Sequence, residues 1–303
     1  MNRTPKFAVR WWTFTRERFP LLNHLPVILF FWSAGSLVAS RSTGLSPALT
    51  LQEFLSAATL FFLFFHLRIF DEIKDCPNDR IVHSDRPLAR GLISLKEAKS
   101  VAWGLIVLEL YGAWLIGLPA FVSLACAVLY SLLMYKEFLL GPWLRPRMEA
   151  YALSHTLVSC WMALFLWSSV TGRHFWQIPK TYALWVLACW MIFNIFEFGR
   201  KTLGKEEEQD LVESYSKRLG SWGAAGSVLV MAAIAAAIAF RLGHAFKLRE
   251  FFLLLMAALV GVLVLAGGVY AVTGTERPAR TFRTACSTFI LFYDLIVTLG
   301  AVF

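Results

Sequence analysis

Charge is what this 303-residue chain has least of. Only 16% of its residues are Asp, Glu, Lys or Arg, against roughly 25% in soluble domains. Hydrophobic residues make up 58%, with mean hydropathy +0.60. Folded as a water-soluble core, such a chain would leave too much apolar surface exposed; repeated apolar runs of membrane length suit a bilayer instead. Paired cysteines are also missing. Cys76, Cys126, Cys160, Cys189 and Cys286 show no regular spacing, and four of them fall inside apolar runs, which argues against a disulfide framework or a zinc site and leaves them as packing residues. Nor is there a basic domain. The net charge of +9 is dispersed over short gaps between apolar runs, so no nucleic-acid partner is implied and a lipid bilayer is.

What is present is a series of nine apolar runs, near 21–39, 49–70, 95–116, 118–135, 149–170, 180–199, 221–241, 250–272 and 284–303. They predict an all-α polytopic membrane bundle of about nine transmembrane helices, forming a single domain over 21–303. The third and fourth are joined by the tight Gly117-Leu118-Pro119 turn and form an antiparallel hairpin. Residues 1–20 form a basic, aromatic leader (Arg3, Lys6, Arg10, Trp11, Trp12, Arg16, Arg18), read as an interfacial segment ahead of an uncleaved first helix. Small residues at Val38-Ala39-Ser40 leave a cleavable signal as the alternative.

Alternate loops differ sharply in basic residues. Arg41, Arg173, Lys180, Arg241, Lys247 and Arg249 fall on one side, and the other 23 of the 29 on the side of the leader. This predicts a cytoplasmic N-terminus and a C-terminus on the opposite side.

The acids are more informative. Eleven of the 20 sit in two of the inside segments: Asp71, Glu72, Asp75, Asp79 and Asp85 after the second helix, then Glu197, Glu206, Glu207, Glu208, Asp210 and Glu213 after the sixth. If the second helix continues, Glu72 and Asp75 share a face at i,i+3, while Pro77 predicts a break from which Asp79 returns. Three converging carboxylates repel one another unless a hard divalent cation neutralises them, and all-oxygen ligands suit Mg²⁺. The interleaved Arg80, Arg86 and Arg90 suit phosphate oxygens, which a guanidinium binds in bidentate fashion. The segment Asn194-Ile-Phe-Glu197 echoes Arg68-Ile-Phe-Asp71 four spans earlier, a hint of two parallel four-helix halves plus a ninth helix. Carboxylates, arginines and lysines at the mouth of an apolar bundle fit a substrate with a phosphorylated head and a hydrocarbon tail.

On these residues the chain resembles the UbiA superfamily of intramembrane prenyltransferases. That family's first signature, N-D-x-x-D-x-x-x-D and then R-P-L-x-x-G, is matched by Asp71, Glu72, Asp75 and Asp79, followed by Arg86-Pro87-Leu88 and Gly91. The departures, Asp71 for Asn and Glu72 for Asp, keep oxygen ligands. Lys136, after Tyr130 and Tyr135, resembles the basic residue the family places after its fourth helix. The second signature, D-x-x-x-D, is not cleanly present: Glu206-x-x-x-Asp210 has its spacing, Glu197 is the alternative, and a solvated acidic face is a third reading.

The resemblance implies Mg²⁺-dependent transfer of a prenyl group from a prenyl diphosphate to a lipophilic or aromatic acceptor. Asp71, Glu72, Asp75 and Asp79 would hold metal, with Asp75 and Asp79 essential to catalysis and Glu197, Glu206 or Asp210 holding a second ion. Arg86, Lys136, Arg200 and Lys201 would take the diphosphate. Blander roles stay open: Arg86 and Arg90 as topology signals, Lys136 as an interfacial lysine, Asp85 as a turn cap. A terpene cyclase would use the same ionisation step. A transporter would need ionisable residues on several helices, and the mid-span ones are few: Glu53, His66, Glu109, His155 and Asp294.

Overall fold

The computed structural model describes residues 6–209 and 213–302. They form an all-helical bundle with the elements α1 (Phe7–Arg18), α2 (Leu21–Thr43), α3 (Leu51–Val82), α4 (Leu95–Ile116), α5 (Leu118–Tyr135), α6 (Gly141–Leu144), α7 (Met148–Thr156), α8 (Val158–Thr171), α9 (Lys180–Arg200), α10 (Tyr215–Ala245), α11 (Glu250–Thr273) and α12 (Glu276–Val302). Among the described residues nine segments are long and apolar enough to cross a membrane, with α7 and α8 together making one of them. Helix α2 packs against α8 and α12, α3 against α4, α5 against α4 and α8, α9 against α8, α10 and α12, and α11 against α10 and α12.

Local sequence sets the helix starts. The Thr50, Ser94 and Ser214 side chains accept from the backbone N–H groups of Glu53, Glu97 and Lys217, and so cap α3, α4 and α10. Inside the bundle, where water cannot satisfy polar groups, hydroxyls pair across helices: Ser123 with Ser168 at 2.6 Å and Ser33 with Thr298 at 2.9 Å. The Tyr182 hydroxyl donates to the Ala163 carbonyl at 2.6 Å and that of Tyr293 to Ala235 at 2.9 Å.

The structure corrects four sequence expectations. The second span does not break at Pro77 but runs through it to Val82. Proline removes one intrahelical donor, yet the turn beyond is held by the His83 N–H on the Asp79 carbonyl and by Arg86 on the Asp79 carboxylate. The fifth span is two helices meeting at Leu157, where the Thr156 hydroxyl bonds back to the Ala152 carbonyl and across to Asn194. The seventh span starts at Tyr215 instead of 221 and bends at Gly220. The ninth starts at Glu276 instead of 284, so that Arg277, Arg280 and Arg283, expected in a loop, lie on its first two turns.

Candidate functional site

The charged ends of α3, α5, α7, α9, α10 and α12 gather on one face of the bundle, and α1 lies across it. Because α3 is unbroken, Asp71, Glu72, Asp75 and Asp79 project from one side of a single helix, and convergence comes from helical periodicity alone. Their surroundings differ. Glu72 is buried, and its Oε1 accepts from Arg18 of α1 and from Arg68, each at 2.7 Å. Asp79, also buried, accepts from Arg86 at 2.6 Å. Asp71 is exposed and pairs with Lys74 at 3.5 Å. Asp75 is exposed, within electrostatic range of Lys74, Asp71, Asp79 and Glu72.

The R-P-L-x-x-G segment explains itself as a folded hook. Leu88 is buried in the core, the Leu92 N–H returns to the Pro87 carbonyl, and Gly91 takes φ +76°, where a side chain would be strained. This hook carries Arg86 to Asp79. Arg90 instead reaches Glu17 of α1 at 2.9 Å and the Asp85 carbonyl, and the Glu17 hydrogen bond raises its pKa further.

Opposite stands the end of α9. Glu197 accepts from Arg200 at 2.5 and 2.9 Å and pairs with Lys201 at 3.0 Å. Arg200 is within electrostatic range of Asp71, which brings the two acidic helix ends together. Between them, from α7, come His155 and Tyr151, stacked at 3.9 Å, with the Lys74 ammonium 5.4 Å from the Tyr151 ring centre. A narrow cleft beside this group is lined by Phe70, Asp71, Lys74, Ser131, Met134 and Tyr135. Phe70 and Tyr135 stack across its wall at 4.8 Å. Lys136 is exposed at the rim, 5.3 Å from the Tyr135 ring. Past it, Glu137, Phe138 and Leu139 all take positive φ, a strained reversal held by Arg145 on the Glu137 carboxylate at 2.9 Å.

Two of the second-loop acids, Glu206 and Glu207, bond to α12. Glu206 accepts the Glu276 N–H at 2.8 Å and so caps that helix. Glu207 is gripped by Arg283 at 2.6 and 2.7 Å and by the Gly204 N–H at 3.0 Å; these donors hold its carboxyl at about 2. Gly204 abuts the Glu276 backbone where any side chain would collide. Asp210 lies outside the described residues.

Among the described residues, no three His, Cys, Asp or Glu side chains stand together as a ready metal site. The donor set nonetheless fits a hard divalent cation: it is all oxygen, and Glu72 Oε2 is buried with no hydrogen-bond partner. Arg18, Arg68, Lys74 and Tyr151 are members of the site that sequence reasoning missed. Arg68 and Lys74 carried a signal, i,i+4 to Glu72 and i,i+3 to Asp71; Arg18 and Tyr151 come from distant elements and carried none.

The nine membrane-length segments among the described residues, with acids and bases gathered at one end beside an aromatic cleft, define a multi-pass integral membrane protein. The chain belongs to the UbiA prenyltransferase family, which it matches over residues 27–296, and is a prenyltransferase enzyme. Solved structures share the fold at low identity. A UbiA homologue from Aeropyrum pernix K1 is 18% identical with TM-score 0.68, covering 92% of this chain and 97% of its own. A digeranylgeranylglyceryl phosphate synthase is 18% identical with TM-score 0.65, covering 93% and 98%. A UbiA homologue from Archaeoglobus fulgidus bound to GPP and Mg²⁺ is 15% identical with TM-score 0.50, covering 91% and 98%. Among curated proteins, none matches the chain.

Proposed function

We propose that the protein transfers a prenyl group from a prenyl diphosphate to a lipophilic or aromatic acceptor, with Mg²⁺, at the cytoplasmic side of the membrane. The observation carrying this reading is the approach of the charged ends of α3 and α9 at one face: acids that suit divalent ions and cations that suit a diphosphate, gathered beside the Phe70–Tyr135 wall. The Mg²⁺ bound in the Archaeoglobus homologue supports the cofactor, and the GPP there supports the donor class.

Asp71, Asp75, Asp79 and the unpartnered oxygen of Glu72 would hold metal from α3, and Glu197 from α9. Mg²⁺ supplies positive charge that stabilises the departing diphosphate. The chain's own residues do the rest. Arg86, Arg200, Lys201 and Lys136 exchange their present partners for phosphate oxygens, so the internal ion pairs act as placeholders that keep the site neutral before substrate arrives. Arg18 and Arg68 fix Glu72 so that the α3 acids stay in register. Phe70 and Tyr135 present π faces to the allylic cation left when the C–O bond breaks, and the surrounding apolar helices restrict, without abolishing, water's access to it.

The chain reads as two four-span halves plus α12: α3 pairs with α4 as α9 does with α10, and each half brings one acidic helix end to the shared face. The 23 basic residues on that side support a cytoplasmic N-terminus and a C-terminus opposite. Helix α1, tied to α3 and α4, serves as the interfacial leader. Incubating the purified protein with Mg²⁺, radiolabelled geranyl diphosphate and total membrane lipid tests the reading. A labelled, acceptor-derived lipid is expected; label found solely in cyclic hydrocarbon would replace transfer by cyclisation.

A further inference from the structure

Two polar side chains buried within the span region, His66 and Glu109, have no part in the site described so far, yet they join Ser131 of the cleft wall in a single connected chain. His66 of α3 sits between Glu109 of α4 and Ser131 of α5, and all three are at most 1% exposed. His66 Nδ1 lies 2.7 and 3.0 Å from the two Glu109 oxygens, and Nε2 lies 3.0 Å from the Ser131 hydroxyl. Ser131 is also part of the cleft wall, beside Asp71, Lys74 and Tyr135. His66 meets Phe70 edge-on at 5.2 Å, and Phe70 stacks on Tyr135. The chain therefore starts inside the α3–α4 interface and ends at the aromatic wall.

Burying a carboxylate and an imidazole between apolar helices is costly, and elsewhere in this bundle a hydroxyl pair such as Ser123–Ser168 joins helices without one. What the arrangement adds is proton capacity. Prenyl transfer requires it: as the C–O bond of the donor breaks, pyrophosphate leaves with the electron pair, the acceptor atom bonds to C1, and the acceptor's proton must go elsewhere. We propose that Glu109, His66 and Ser131 form a proton relay that takes this proton from the acceptor, an inference that rests on the prenyl-transfer reading above. With the Nδ1 proton shared with Glu109, Nε2 accepts the Ser131 proton as Ser131 Oγ accepts that of the acceptor. The charge then rests on an imidazolium facing the Glu109 carboxylate. The Ser131 hydroxyl has a second partner, the Val128 carbonyl at 2.7 Å, to which it turns when Nε2 is protonated. The relay resets when the proton passes out through Ser131 to the released pyrophosphate. Ser131 is the catalytic member, touching the acceptor; His66 and Glu109 act through it.

Ionisation of the donor needs no proton transfer, whereas capture of the cation does, and the two are separable. Geranyl diphosphate carrying ¹⁸O in the bridging position, incubated with the purified protein and Mg²⁺, reports ionisation and return as positional isotope exchange. Water, serving as probe acceptor, reports capture as geraniol. Glu109→Gln is expected to lower the ratio of geraniol formed to isotope exchange about a hundredfold, the usual scale of general-base catalysis. Ser131→Ala, which opens no cavity of consequence, should do the same, and Ser131→Thr should restore capture by returning the hydroxyl. If Glu109→Gln fails to fold, the two Ser131 variants decide alone. The relay is overturned if exchange and capture fall together in these variants, or if neither changes. A wild type that shows neither exchange nor geraniol would instead remove the prenyl-diphosphate reading, and the relay with it.

Discussion

Arg18 of α1 and Glu72 of α3 are joined through two guanidinium nitrogens, Nε and Nη2, each 2.7 Å from the same carboxylate oxygen. They lie 54 residues apart and are both largely shielded, with side-chain exposures of 18% and 3%. Helix α1 is thus fastened to the acid motif. Arg18→Ala removes one of two cations from a buried carboxylate. It should destabilise the protein by about 2 kcal/mol, less than for a lone buried pair because Arg68 remains. Thermal unfolding in detergent measures this, and limited proteolysis should find α1 released.

Asp75 and Asp79 belong to one motif but should respond differently. Asp75→Asn replaces an exposed carboxylate and is expected to abolish turnover with unfolding unchanged. Asp79→Asn should abolish turnover too, and also lower stability by about 1–3 kcal/mol, because Arg86 loses its charged partner beside a buried group. Activity and unfolding measured on the same preparations separate the two effects.

Topology has its own check. In a background lacking the five native cysteines, Lys136→Cys and Arg280→Cys should react with a membrane-impermeant thiol reagent added from the cytoplasmic side, and Lys247→Cys from the other. The reverse pattern would place the charged face outside.

Glu207 sets a pH limit on the α9–α10 connection. Its folded pKa of about 2, against 4.5 in its ordinary state, means that its contribution is fully present above pH 4.5 and fades as pH falls toward 2. Glu207→Gln should cost about 1 kcal/mol near neutral pH and converge with the wild type in acid. Unfolding midpoints between pH 7 and pH 3 report it.

Much of this was legible in the sequence because membranes impose simple rules. Spans read as apolar runs, and the two acidic helix ends stood out against a chain poor in charge. What failed has common causes. Pro77 was overruled by tertiary bonds at Asp79 that no local pattern encodes. The arginines at the start of α12 read as loop because charge normally ends a span, whereas Glu207 gathers two of them at a helix start. His66, Glu109 and Ser131 come from three helices, so only packing could join them.

On the reading proposed above, the face formed by the ends of α3 and α9 ionises a prenyl diphosphate with the help of Mg²⁺. Pyrophosphate release from geranyl diphosphate by the purified wild type and by Asp75→Asn tests it most directly. Slow release is expected from the wild type in Mg²⁺, with acceleration when membrane lipid supplies the acceptor, and none from Asp75→Asn or in excess chelator. Release that persists in chelator, or at the wild-type rate in Asp75→Asn, would contradict it.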